Sequence, residues 1–73
     1  MQLQVGQRIR IFVNGETAET GAATLAELVD ELGYDGAQVA TARNGDFVAK
    51  AARPETKLAA EDTIEIVAPR QGG

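Results

Sequence analysis

The residues best placed to do chemistry lie at the end of the chain, where Gly72-Gly73 carry a free α-carboxylate. Such a group has a reference pKa of roughly 3.3 to 3.7 and is ionised at neutral pH, so it can attack the α-phosphate of a nucleotide held by another protein. Two glycines without Cβ atoms give a slim terminus that fits a narrow site and reaches backbone angles closed to other residues. Few other groups compete. The sequence has no cysteine and no histidine, which removes thiol nucleophiles, thiolate metal sites and imidazole bases. An enzyme built from this chain would have only carboxylates, Lys50, Lys57 or Tyr34 to work with, and no paired carboxylates stand at persuasive spacing.

Composition narrows the classes further. Seventy-three residues make one small domain, 1–73, with a globular part over about 8–68 and a tail over 69–73. A domain of this size buries only about 60% of the surface its unfolded chain exposes, so its stability margin is thin. A net charge of −4 and a pI near 4.6 oppose a surface for phosphate neutralisation or for anionic membranes, which excludes nucleic acid and membrane as expected partners. No apolar run reaches spanning length, and Met1-Gln2-Leu3-Gln4-Val5 lacks the basic and hydrophobic regions of a signal peptide. The expectation is a cytoplasmic protein, monomeric when free.

The elements that must position the terminus are legible in the periodicity. Arg8 to Val13 alternates, with Ile9, Ile11 and Val13 on one face and Arg8, Arg10 and Phe12 on the other, as a half-buried strand does. Asn14-Gly15 is a tight hairpin turn, and Glu16 to Thr20 returns as a second strand. Thr24 then precedes Leu25, Leu28, Val29 and Leu32, which fall on one helical stripe and are expected in the core. Thr24 and Glu27 form a capping box, and Gly33 supplies the left-handed stop. Glu27, Asp30 and Glu31 lie off the stripe as a solvated face.

A further hairpin is expected from Val39 to Arg43, turning at Asn44-Gly45 and returning through Asp46 to Lys50. Arg53-Pro54 is expected to block a continuing helix or ladder, and Leu58 to anchor an otherwise polar connection. Glu61-Asp62 turns into a last strand, with Ile64 and Ile66 facing one way and Glu65 and Val67 the other. The order is β-β-α-β-β-β, an α+β architecture of one helix on one sheet face. On the other face Phe12 and Val67 stand out as apolar residues among charges and form a candidate partner surface. Pro69, Arg70, Gln71, Gly72 and Gly73 follow the last strand, and fully extended they could reach on the order of 16 Å.

Taken as a set, Val13-Asn14-Gly15-Glu16, Thr24-Leu25-Ala26-Glu27-Leu28, Arg43 to Val48, Asp62 to Val67 and the terminal Gly-Gly resemble the ThiS-type sulfur carriers of thiamine biosynthesis. Order, spacing and fixed distance to the end carry the likeness, which runs from about Arg8 to Gly73. The resemblance implies a ubiquitin-like β-grasp fold with a mixed sheet packed on one helix and a flexible diglycine tail. It implies that Gly73 is adenylated by a ThiF-type enzyme and converted to a thiocarboxylate with sulfur from a persulfide enzyme. Pro69, Arg70, Gln71 and Gly72 would then enter the partner site, and a ThiG-type thiazole synthase would accept the sulfur. The chain would bind no cofactor and no metal of its own; ATP and metal belong to the activating enzyme. The resemblance implies a carrier and substrate, not a catalyst.

Three other readings share parts of these features. The small subunit of molybdopterin synthase ends in the same dipeptide, although such proteins tend to be longer. A ubiquitin-like modifier would join Gly73 to a lysine. A binding module with an inert terminus would rely on Phe12, Val67 and the acidic helix face.

Overall fold

The computed structural model describes residues 8–68. The first strand, β1 (Ile9–Val13), pairs antiparallel with β2 (Glu16–Thr20) across a two-residue turn. Both turn residues sit in the left-handed region, Asn14 at φ 52° and Gly15 at 87°. The second Asn-Gly repeats the device, with Asn44 at 51° and Gly45 at 88°, between β3 (Ala40–Arg43) and β4 (Asp46–Val48). Two positive φ angles in succession twist the chain to match the right-handed twist of the flanking strands, which is why asparagine and glycine occupy these sites.

The helix, α1 (Leu25–Glu31), starts where Thr24 Oγ1 accepts the Glu27 backbone N–H at 3.2 Å. Glu27 Oε1 reaches back one residue beyond the cap and accepts the Ala23 N–H at 2.8 Å. At the other end the Gly33 N–H donates to the Asp30 carbonyl and the Tyr34 N–H to the Val29 carbonyl, the paired bonds of a Schellman stop, with Gly33 at φ 84°. This stop corrects one expectation. The helix ends at Glu31, so Leu32 becomes the capping residue and stays 42% exposed instead of joining the core. Tyr34, turned back by Gly33, packs against the core in its place.

The last strand, β5 (Thr63–Val67), enters the middle of the sheet, parallel to β1 and antiparallel to β3, in the order β2-β1-β5-β3-β4. The core is Ile11 from β1, Leu25, Leu28 and Val29 from α1, and Ile64 and Ile66 from β5. These are the inward positions that the period-2 and helical patterns demand. Leu58 is half-buried and packs against the same cluster.

Two further expectations are corrected between β4 and β5. The strand expected to run to Lys50 ends at Val48, and Arg53-Pro54 does not interrupt structure but lies inside a 3₁₀ segment, Lys50–Glu55. Its turns are closed by the Ala52 N–H on the Ala49 carbonyl and the Thr56 N–H on the Arg53 carbonyl. Neither bond needs an N–H from Pro54, and its fixed φ suits the tight helix.

Arg53 itself is 4% exposed. Its guanidinium donates to Thr41 Oγ1 at 3.0 Å, to the Gly36 carbonyl at 2.9 Å and to the Val39 carbonyl at 2.7 Å. One side chain therefore ties the 3₁₀ turn Gly36–Gln38, the start of β3 and the Lys50–Glu55 segment together. Among the described residues no buried side-chain polar atom is left without a partner.

Candidate functional site

The terminal carboxylate, with Pro69, Arg70, Gln71, Gly72 and Gly73, lies outside the described residues, and what the fold positions is the strand that leads to it. β5 is held at both ends by the two Asn-Gly turns. At its start the Asn44 N–H donates to the Thr63 carbonyl at 2.7 Å and Asn44 Oδ1 accepts the Thr63 N–H at 2.8 Å. At its end Asn14 Nδ2 donates to the Ile66 carbonyl at 3.1 Å and Asn14 Oδ1 accepts the Ile66 N–H at 2.9 Å. The strand before the tail is thus clamped by side chains that sequence alone marks only as turn formers.

The start of β5 carries a second device. Asp62, 5% exposed, accepts from Arg43 Nε at 2.8 Å, from Asn44 Nδ2 at 3.0 Å and from the Ala59 N–H at 2.8 Å. Burial pushes its carboxyl up, but these donors and the Arg43 charge outweigh burial and hold it below the usual carboxylate range. Among the described residues no group of three acidic side chains is arranged to hold a metal ion.

The sheet face away from the helix is open. Thr63, Glu65 and Val67 of β5 point to it, next to Ala42 and Ala40 of β3, and Ala42 is paired in turn with Phe47 of β4. Phe47 is 73% exposed and Val67 60% exposed. With Ala40, Ala42 and Glu65 they line a shallow depression, the two alanines leaving room between the larger side chains.

Phe12 shares this face but not this depression. It is opposite Thr63, four residues before Val67, or about 13 Å along the strand at 3.3 Å per residue, and it is half-buried. The apolar neighbour that Val67 has on the open face is Phe47, which sequence reading passed over. The tight Asn44-Gly45 turn contains the signal, because a two-residue hairpin fixes Phe47 opposite Ala42 and away from the core.

One helix laid across a five-stranded mixed sheet with β5 at its centre defines a ubiquitin-like β-grasp domain. The ThiS family model matches residues 11–73, and the chain belongs to the ThiS family. The fold is similar to the crystal structure of a thiamine biosynthesis protein, ThiS, from Geobacter metallireducens, with a TM-score of 0.74 and 25% identity. That likeness covers 89% of this chain and 100% of the other. No curated protein matches the chain. No helix among the described residues is long and apolar enough to cross a membrane.

Proposed function

We propose that this protein carries sulfur for thiazole formation in thiamine biosynthesis, with the Gly73 carboxylate as the loading site. The observation that carries the reading is the ThiS family match, which extends through residue 73 and so includes the diglycine. A central strand clamped at both ends, whose continuation is the tail, supports the same use.

A carboxylate is a poor electrophile, so loading has to begin with activation. The Gly73 carboxylate oxygen attacks the α-phosphate of ATP on a ThiF-type enzyme, a P–O bond forms and pyrophosphate leaves, with metal and basic groups of that enzyme stabilising the charge. The terminal sulfur of a persulfide then attacks the acyl carbon and displaces AMP. Cleavage of the resulting acyl disulfide by a thiol leaves the thiocarboxylate, which a thiazole synthase accepts. The absence of cysteine in this chain leaves no internal thiol to intercept the activated terminus.

Pro69, Arg70, Gln71 and Gly72 are the residues that would enter the enzyme. Val67 stands two residues before Pro69, so an enzyme that takes up the tail also meets the depression between Val67 and Phe47. Phe12 marks the far limit of this contact face.

The test is an intact mass of the protein isolated under non-oxidising conditions from cells grown without thiamine. The expected result is the mass rise of one oxygen replaced by sulfur, localised to Gly73 and absent after its deletion. Only the free acid under those conditions would overturn the reading.

A further inference from the structure

We infer that Asn14 is a positioning residue for the tail, and that its side-chain amide, not its turn conformation, is what that role requires. The inference rests on the reading of residues 69–73 as the segment that enters an activating enzyme. β1 pairs with β5 through Phe12 and Val13, and the Asn14 N–H then reaches the Ile64 carbonyl at 2.9 Å. Beyond that point β1 turns away, and the next β5 residue whose backbone polar groups face β1 is Ile66. The Asn14 carboxamide takes both groups, as donor to the carbonyl and acceptor from the N–H. It adds one rung to the ladder after the backbone of β1 has left it.

On the other side of β5 the ladder ends at Val67, paired with Ala40, the first residue of β3. The chain therefore leaves the sheet from two fixed points, Ile66 through Asn14 and Val67 through Ala40. Without the carboxamide, the last rung on the β1 side retreats to Ile64, two residues or about 6.6 Å of strand. Val67 and Ala68 would then be held on the β1 side only as far back as Ile64, and ordering that strand end against an enzyme would cost more on binding.

Residue choice separates this role from turn formation. A left-handed φ of 52° at position 14 is met by asparagine, aspartate or glycine. The ring closed with Ile66 needs a donor and an acceptor on one planar group, which aspartate, an acceptor alone when ionised, and glycine do not supply. Asn14→Gly thus keeps the turn and removes the rung, and Asn14→Asp keeps the turn and cannot donate to the Ile66 carbonyl.

The full-length protein and both variants are compared in two ways. Amide exchange at Ile66 should be on the order of tenfold faster in Asn14→Gly, for the loss of one net hydrogen bond, and closer to wild type in Asn14→Asp, whose carboxylate still accepts that N–H. Nitrogen-15 relaxation should show lower order at Val67 and Ala68 in both, with Ile11 and Leu28 unchanged. Pyrophosphate exchange with the adenylating enzyme should show a several-fold higher KM for both variants at an unchanged kcat. Equal loosening of Ile11 and Leu28, unchanged order at Val67 and Ala68, or an unaltered KM would overturn the inference. Failure of the wild-type chain to support exchange at all would instead sink the carrier reading, and the relaxation data would still judge Asn14.

Discussion

Arg43 Nε lies 2.8 Å from Asp62 Oδ2, joining the last residue of β3 to the residue that precedes β5. The two strands are neighbours in the sheet, so this pair fixes where the central strand begins. Because the folded carboxyl is held below its unfolded value of roughly 3.9, its contribution to stability is fully present above that value and is lost as pH falls through the folded pKa. Melting temperature should therefore fall as pH drops below about 4. Asp62→Asn should cost about 1–3 kcal/mol at neutral pH, by weakening the bonds to Arg43, Asn44 and Ala59, and should flatten the acid limb. Thermal denaturation of both proteins from pH 7 to pH 2.5 checks this; parallel acid limbs would contradict it.

Arg53 gives a prediction about a charge without a carboxylate partner among the described residues. Its three acceptors are two backbone carbonyls and a hydroxyl, all oriented toward one planar guanidinium. Arg53→Ala should destabilise the domain by about 2–4 kcal/mol, since it leaves buried acceptors unmade. Arg53→Lys should recover less than half of that, because an ammonium cannot span the same fork. Urea unfolding of the three proteins measures both values, and a lysine variant as stable as wild type would refute the geometric argument.

Much of this architecture was readable because it is written in local chemistry. Both Asn-Gly turns adopt the paired positive φ angles that their residue types favour, and Gly33 stops the helix as a residue without Cβ can. Ile64 and Ile66 face the core as alternation requires. What stayed hidden depends on contacts across long stretches of chain. The bonds from Asn14 to Ile66 span 52 residues, and no local pattern encodes them. Phe12 and Val67 share a face by alternation, yet the order β2-β1-β5-β3-β4 decides that Phe47 is the apolar neighbour of Val67. Leu32 continues the stripe in register, but the Schellman stop removes it from the helix before periodicity can apply.

That contrast within the stripe can be measured. Leu28 is 1% exposed and Leu32 42% exposed, although they are one helical turn apart in sequence. Leu28→Ala should cost about 2–5 kcal/mol, the range for a buried leucine with a residual cavity, which approaches the whole stability of a domain this small. Leu32→Ala should cost less than about 1 kcal/mol, since much of its surface is already in water. Equilibrium denaturation of the two variants decides it, and equal losses would mean that Leu32 is core after all.

The open face supplies the functional counterpart. Phe47 at 73% exposure contributes little to folding, so Phe47→Ala should leave stability within about 0.5 kcal/mol of wild type. If an enzyme that takes up the tail covers the depression beside Val67, the same substitution should raise the KM for the carrier in adenylation, because the pocket that receives the ring loses its contact. Phe12 provides the internal control. It is half-buried and lies about 13 Å back along the strand, so Phe12→Ala should cost about 1–2 kcal/mol of stability and change KM less than Phe47→Ala does. Measuring both parameters for both variants separates folding from docking. A larger KM change at Phe12 than at Phe47 would move the contact surface to the β1 side of the sheet and away from the strand end that leads into the tail.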